Sequence, residues 1–228
     1  MHGFCLGVSM QAIDHRTYMA LREGASVLEA DGSGDKVLRL HDGRMLKLFR
    51  RKRLLSSALF YPYAQRFADN CQALRQRAIP CPEIIAVYRI PSIQRDGVYY
   101  APLPGETVRQ LQATGESAQS LRVQLGRFIA QLHEQGVYFR SLHFGNIVLT
   151  PQGELGLIDI ADLRCQRRAL SSGKRLRNFH HLLRYKTDHQ WLLGEDRGAT
   201  FLEGYRQELK PAARNGQLVE RLGQLFNQ

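Results

Sequence analysis

Two residues with metal-binding side chains flank a short predicted hairpin in this sequence. Asn146 directly precedes a strand predicted over residues 147–150, and Asp159 comes at the end of the next strand, predicted over residues 155–160. Because the strands of a hairpin are antiparallel, both residues are expected at the same end of it. Amide and carboxylate oxygens are the hard ligands that Mg²⁺ prefers. The pattern predicts that Asn146 and Asp159 bind one magnesium ion; the alternative is a surface hairpin that carries both residues incidentally.

The spacing around Asn146 is that of a kinase catalytic loop. The kinase pattern places a catalytic aspartate five positions before the asparagine and a metal-binding aspartate thirteen positions after it. Asp159 fits, but position 141 holds Ser141, and position 139, usually His, holds Phe139. A serine hydroxyl is not basic near neutral pH, and a general base is typically worth about 10²- to 10⁴-fold in rate. Phosphoryl transfer depends mainly on positioning and charge stabilisation, so the sequence predicts slow rather than absent catalysis.

Two nearby side chains are alternatives for the missing base. His143 lies two residues after Ser141, and imidazole is a competent base near neutral pH. If His143 is not the base, we expect it to orient the loop or to contact phosphate. Asp162, three residues after Asp159, is the second alternative.

Lys47 is the candidate ligand for a nucleotide's phosphates. It lies in a strand predicted over residues 45–49, where kinases hold the lysine that binds the α- and β-phosphates. The alternative is a strand lysine that faces solvent. Gly32 and Gly34 border the first predicted turn, which is either a backbone contact for phosphates or an ordinary hairpin turn. Residues 104–107 fit the hinge segment that closes over an adenine.

The helix expected to supply an acidic partner for Lys47 contains no glutamate. No Glu occurs between Lys47 and Glu83, and Asp69 and Asn70 are the nearest polar candidates. We expect these two residues to lie on a solvated helix face instead.

The elements that must position these residues are mainly strands in the first third of the chain, with one helix and two more strands after it, and mainly helices later, with the β-hairpin between those helices. This order predicts an α+β protein with a small β-rich N-lobe (1–103, nucleotide-gripping) and a mainly helical C-lobe (104–228, with the catalytic loop and the metal-binding hairpin). Apart from the hairpin, strands are predicted over residues 26–30, 36–40, 45–49, 84–89 and 98–103, and helices over 54–78 (interrupted near Pro62), 121–132, 175–186, 200–209 and 217–226.

The chain is strongly basic, with 32 Lys and Arg against 21 Asp and Glu and a net charge of +11. Such an excess attracts polyanions: nucleic acid, an anionic membrane face or a phosphorylated glycolipid. No nucleic-acid-binding signature is present, so that partner class is not expected. A basic stretch is either a solvated loop or a docking surface for anionic groups, with Arg164, Arg167 and Arg168 as candidate substrate ligands; it continues to Lys174, Arg175 and Arg177.

Cysteine use and hydropathy predict a cytoplasmic protein. The four cysteines are scattered, without a Cys-x-x-Cys pair, which favours reduced thiols over a disulfide framework or a zinc site. No stretch approaches the roughly 18 apolar residues that a membrane-spanning helix needs.

Residues 132–146 (LHEQGVYFRSLHFGN) and 156–164 (GLIDIADLR) resemble the bacterial lipopolysaccharide core and Kdo kinases, and among them the branch of toluene tolerance proteins. The resemblance covers roughly residues 25–190. It implies a two-lobed protein-kinase-like fold, ATP and Mg²⁺ as cofactors, and phosphorylation of a sugar hydroxyl on lipopolysaccharide core or a related glycolipid. The site would lie at the inner face of the inner membrane, with peripheral contact. Because Ser141 and Phe139 depart from the pattern, the alternative is a pseudokinase: a nucleotide-binding regulator or scaffold in envelope biogenesis.

Overall fold

The computed structural model describes residues 8–32, 34–51, 61–114, 118–210 and 217–226 and has a mixed α+β architecture. The chain divides into two compact units: residues 1–103 together with 159–162, and residues 104–158 together with 163–228. Cys5, Ser33 and the predicted helical residues 54–60 lie outside the described residues. In the described part of the chain, no helix is long and apolar enough to cross a membrane.

The first unit is built on a six-stranded sheet with the order β1-β5-β6-β4-β3-β2. Neighbouring strands are antiparallel except β1 and β5, which are parallel. The five predicted strands of this region are confirmed, with bounds shifted by one to three residues, and β1 and helix α1 (His15–Arg22) are additional. The strands are β1 Met10–Ala12, β2 Ser26–Asp31, β3 Gly34–Arg39, β4 Met45–Arg50, β5 Glu83–Ile90 and β6 Arg95–Ala101.

The alternation of side chains along β4 decides where Lys47 points. Leu46 and Leu48 are buried in a core cluster that also includes Tyr18 of α1, so they face the α1 side of the sheet. The period of two places Lys47 and Phe49 on the other face. Phe49 stacks on Tyr63 of helix α2 (Tyr63–Arg75), with ring centroids 6.2 Å apart. Lys47 therefore lies on the face of the sheet that α2 covers.

Helix α2 begins directly after Pro62, whose fixed φ suits a helix entry. The predicted apolar face of Phe67, Cys71 and Leu74 is confirmed, because all three are fully buried. Phe67 contacts Tyr100 of β6 with ring centroids 5.3 Å apart. Burial of this stripe holds the helix against the sheet.

The second unit is mainly helical, with three short strands in one sheet (order β10-β9-β7) and a two-stranded β11-β8 ladder. Its strands are β7 Glu106–Thr107, β8 Val137–Tyr138, β9 Ile147–Leu149, β10 Leu155–Leu157 and β11 Arg164–Cys165; its helices are α3 Val108–Thr114, α4 Ala118–Glu134, α5 Ser172–Leu182, α6 Lys186–Leu193, α7 Ala199–Glu208 and α8 Gln217–Phe226.

Two predicted elements have wrong bounds in this region. The strand predicted over residues 155–160 ends at Leu157, because Asp159 adopts the left-handed conformation (φ 55°) and a 3₁₀ turn follows at Ile160–Asp162. The helix predicted over residues 175–186 ends at Leu182, because Tyr185 is extended (φ −94°, ψ 126°) and begins a separate helix, α6.

Helices α4 and α7 approach each other at two glycines. The predicted apolar stripe of α4 is confirmed, and on the same helix Gly126 lies against the backbone of α7. A Cβ atom on Gly126 would overlap Phe201 O and lie 2.7 Å from Tyr205 N. Gly204 of α7 lies equally close to the backbone of Val123.

We expect Gly126→Ala to destabilise the protein, because backbone atoms cannot move aside as a flexible side chain can. Overpacking typically costs about 1–3 kcal/mol, which lowers the melting temperature by about 2–4 °C per kcal/mol in a chain of this size. Thermal unfolding followed by circular dichroism measures the shift. The matched control is Gly223→Ala in α8, where nothing lies within 4 Å of the added Cβ; an equal loss there would contradict this account.

Candidate active site

The loop that carries Ser141 follows α4 and is anchored on a buried polar network. Phe139, at the position where kinases usually carry His, is fully buried. Its carbonyl accepts a hydrogen bond from Asn178 Nδ2 at 2.6 Å. Asn178 Oδ1 is 3.3 Å from His133 Nε2, and His133 Nδ1 is 2.9 Å from the Tyr205 hydroxyl. The helices α4, α5 and α7 thus jointly fix the start of the loop.

His133 makes the stability of this network depend on pH. Burial, reinforced by the charge of Arg175, lowers the pKa of His133 from its ordinary value of 6.5 to about 3. Below pH 6.5 the unfolded chain binds a proton that the folded chain does not, so stability is lost as the pH falls. The contribution of His133 is about 1.4 kcal/mol per pH unit until its folded pKa is approached.

Urea unfolding at pH 7.0 and pH 5.0 checks this dependence. The wild type should lose more free energy of unfolding between the two pH values than His133→Gln, which lacks the titrating group. Carboxylates contribute equally in both proteins. Identical pH dependences would show that His133 does not couple protonation to folding.

Asn146 closes the loop onto itself. Its side-chain nitrogen donates to Ser141 O at 2.9 Å, and its backbone nitrogen donates to His143 O at 2.9 Å. Asn146 O accepts from Ile158 N at 3.0 Å, which joins the loop to the exit of the β9–β10 hairpin. The amide nitrogen is used within the loop, so Oδ1 is the Asn146 side-chain atom with the character of a metal ligand.

His143 also contributes to the shape of the loop. Its Nδ1 accepts a hydrogen bond from Gly145 N at 3.2 Å, and its ring lies edge-on to Tyr185 with centroids 5.3 Å apart. In a neutral imidazole whose Nδ1 accepts a hydrogen bond, Nε2 carries the proton and is a donor. This tautomer favours the orienting or phosphate-contacting role over the role of replacement base, which stays a prediction.

Asp188 of α6 is a supporting residue that the sequence analysis missed. Its side chain is fully buried, accepts from Arg109 Nη2 at 2.6 Å and accepts from Phe144 N at 3.3 Å. An isolated buried carboxylate would be costly, and the guanidinium of Arg109 compensates its charge. No local motif marks this aspartate, because its partners lie on α3 and on the loop.

Lys47 has an acidic partner in the first unit, and it is Asp159. Lys47 Nζ lies 2.6 Å from Asp159 Oδ1, and the side chains are 18% and 47% exposed. The half-exposed carboxylate remains accessible to a ligand. The Lys47 ammonium group also lies over the ring of Phe49, with Nζ 5.9 Å from the ring centre, in a cation–π contact. Kinases use a lysine to bind phosphate oxygens and an aspartate to bind Mg²⁺.

The segment after Asp159 is held by α2. Asn70 Nδ2 donates to Ile160 O at 2.7 Å, so the expected solvated role of Asn70 is wrong. Asp69 instead accepts from the Tyr61 hydroxyl at 2.6 Å and from Gln65 at 2.9 Å. Burial, together with the negative charge of Asp159, raises the pKa of Tyr100, so this phenol stays neutral beside the pair.

The glycine-containing segments keep their predicted places. Gly32 and Gly34 border the β2–β3 turn, and Gly34 has φ 108°, which a glycine tolerates best. Gly105 has φ 128°, and a Cβ there would overlap the backbone of Leu149. The phosphate and adenine contacts suggested for these segments stay predictions.

The basic stretch divides into exposed and buried residues. Arg164, Arg167 and Arg168 are exposed. Arg175 is 3% exposed, pairs with Glu134 at 2.9 Å and donates to Leu170 O at 2.8 Å. The prediction that Arg175 belongs to a docking surface is therefore wrong, because Glu134 compensates its charge inside the unit.

Within the described ranges, no group of three or more His, Cys, Asp and Glu side chains is arranged to hold a metal ion. The magnesium-binding role predicted for Asn146 and for Asp159 stays a prediction. The model of the lipopolysaccharide kinase (Kdo/WaaP) family matches residues 20–205 of the chain. A comparison with curated proteins gives no match. The family match includes Lys47, the loop around Ser141 and the segment of Asp159.

Proposed function

This chain belongs to the lipopolysaccharide kinase (Kdo/WaaP) family, and from that membership we propose that it transfers phosphate from ATP to a sugar hydroxyl of lipopolysaccharide core or a related glycolipid. The observation that carries the proposal is the 2.6 Å contact between Lys47 and Asp159. The two-lobed kinase-like fold and the toluene tolerance branch are finer parts of the same proposal.

Lys47, Asp159 and Asn146 fit Mg²⁺ and ATP by the chemistry of their side chains. Lys47 would bind phosphate oxygens, and Asp159 would supply a carboxylate oxygen to the metal, with Asn146 Oδ1 as the second protein ligand. When bound, ATP would supply the phosphoryl group, and Mg²⁺ would neutralise part of the negative charge of the phosphates. The ammonium group of Lys47 is held in place by its carboxylate partner, which reduces the cost of ordering it for binding.

Ser141 would orient the acceptor hydroxyl by a hydrogen bond rather than remove its proton. The main-chain carbonyl of Ser141 is fixed by Asn146, so the residue has a defined position. Positioning alone supplies a large part of the rate in phosphoryl transfer. We expect slow turnover in which the acceptor proton is lost to solvent.

The exposed Arg164, Arg167 and Arg168 support an anionic partner. Each basic group near an anionic membrane surface adds about 1 kcal/mol of attraction. Peripheral contact with the inner face of the inner membrane is the corresponding proposal for location.

The direct test is incubation of the protein with Mg²⁺ and γ-labelled ATP in the presence of delipidated core oligosaccharide. We expect label in the saccharide, with release only by phosphatase treatment. No transfer to any saccharide acceptor, under conditions where another kinase of the family is active, would contradict the proposal.

The second candidate function is that of a pseudokinase, and the serine at position 141 is the observation that favours it. Thermal-shift titrations with ATP, with and without Mg²⁺, separate the two functions. Stabilisation by nucleotide without any phosphate transfer supports a nucleotide-binding regulator or scaffold of envelope biogenesis.

A further inference from the structure

Two cysteines of the first unit meet between the end of helix α2 and the start of strand β5. Cys71 lies near the end of α2 and is 1% exposed, whereas Cys81 is half-buried. Cys81 Sγ is 3.4 Å from Cys71 O, and a hydrogen bond also joins the two thiols. This bond places the two sulfur atoms close to each other, which is the first requirement for a disulfide.

The turn after α2 brings Cys81 back to Cys71. Ala78 has a left-handed φ of 53° and reverses the direction of the chain. Pro80 and Pro82 then flank Cys81. A proline fixes its own φ and favours an extended backbone for the residue before it. The backbone at Cys81 is therefore restricted beside the helix.

The two thiols differ in reactivity. As a thiolate, Cys81 accepts the hydrogen bond from Cys71, and this bond, together with the positive charge of Arg75, lowers the pKa of Cys81. Arg75 Nη2 donates to Pro82 O at 3.2 Å, which keeps the guanidinium next to Cys81. The same thiol–thiol bond, together with burial, raises the pKa of Cys71. Because the thiolate is the nucleophile, Cys81 is the thiol that reacts first.

We propose that Cys71 and Cys81 form a redox modification site, which hydrogen peroxide converts into a disulfide. The Cys81 thiolate attacks one peroxide oxygen, so that the O–O bond breaks, a sulfenic acid forms and hydroxide leaves to become water with the proton that Cys81 released. The Cys71 sulfur then attacks the Cys81 sulfur. The S–S bond forms, the S–O bond breaks, and the hydroxyl leaves as water with the Cys71 proton. The two sulfur atoms lose two electrons, and the peroxide is reduced to two water molecules.

The disulfide would fix the end of α2. Asn70, next to Cys71, donates to Ile160 O at 2.7 Å, so the same turn of the helix anchors the segment after Asp159. The pair is reduced at rest, in agreement with the expected reduced thiols, and a thiol reductant would restore that state. The inference is independent of the proposed function, because the step involves no phosphate transfer.

The test is oxidation of the full chain with hydrogen peroxide near neutral pH, followed by alkylation, digestion and mass spectrometry. We expect a disulfide between Cys71 and Cys81 that dithiothreitol reverses. In urea, where the contact is lost, it should form more slowly. The matched control is Cys165→Ser, at a cysteine of β11 in the second unit, which should form the disulfide at the wild-type rate.

Two variants test which thiol reacts first. Cys71→Ser keeps a hydrogen-bond donor but removes the second thiol, so dimedone should trap the sulfenic acid at Cys81. In Cys81→Ser, the remaining Cys71 should react with peroxide at least about tenfold more slowly, which is the effect of one pKa unit on the thiolate fraction.

The wild-type result stands without any substitution, so a variant that folds poorly does not obscure it. No disulfide between Cys71 and Cys81, equally frequent pairing of either one with Cys165, or equally fast formation in urea would overturn the proposal. An equally fast reaction of Cys71 in Cys81→Ser would overturn it as well. A protein that forms the disulfide but transfers no phosphate would contradict the proposed function alone.

Discussion

Asp159→Asn is expected to abolish measurable phosphate transfer to core oligosaccharide, with a fall of at least about 10³-fold. Loss of a single preorganised charge-stabilising group typically costs about 10²- to 10³-fold, and here the substitution also removes the carboxylate that holds Lys47. Stability should change by no more than about 1 kcal/mol, because Asp159 is half-exposed and its ion pair is screened by solvent. Transfer of labelled phosphate and thermal unfolding measure the two effects.

The matched control for Asp159→Asn is Asp35→Asn. Asp35 forms an ion pair of similar length with Arg22, at 2.8 Å, in the same unit. We expect this variant to retain transfer within about twofold, since a partly exposed ion pair contributes about 1 kcal/mol of stability and neither Asp35 nor Arg22 is among the proposed site residues. If both variants lost activity equally, the loss would reflect general damage to the unit rather than the chemistry of Asp159.

Ser141→Asp is expected to raise kcat by about 10²- to 10⁴-fold, the usual worth of a general base. A carboxylate at position 141 would accept the proton of the acceptor hydroxyl, which the serine cannot. The measurement is kcat with saturating ATP and saccharide. Ser141→Ala serves as the comparison and should lower kcat by up to about tenfold, because it removes the hydrogen bond proposed to orient the acceptor and such a bond is typically worth about 0.5–1.5 kcal/mol.

The opposite result for Ser141 would also be informative. A drop in kcat in Ser141→Asp would mean that the negative charge repels the phosphates and that another group removes the proton. Measurable activity in Ser141→Asp together with none in the wild type would favour the pseudokinase, since only the base would then be missing.

Sequence patterns predicted the elements whose signals are local. Strand β4, with alternating leucines around Lys47, and the buried stripe of α4 follow from side-chain periodicity. The hairpin β9–β10 follows from its turn residues. Asn146 and Asp159 were selected as candidate metal ligands by their spacing, which stays a prediction. The contact of Asp159 with Lys47 was not predicted, because it joins residues 112 positions apart.

Long-range pairing also explains what sequence reasoning misread. Arg175 was counted with the exposed basic residues, since a charge count does not show that Glu134 compensates it inside the unit. Asp188 was missed because its partner Arg109 is distant in sequence and because the break before α6 contains neither glycine nor proline. In both cases the decisive property is burial of a charge, which depends on packing rather than on local pattern.

The return of residues 159–162 to the first unit restricts how this protein can be divided. A gene fragment encoding residues 1–103 would encode Lys47 without its carboxylate and α2 without the turn that covers it. Such a fragment is expected to fold poorly. Recombination at position 103 would separate Lys47 from Asp159 and Asn70 from Ile160. An exchange of the first unit between related proteins would therefore need to carry residues 159–162 with it.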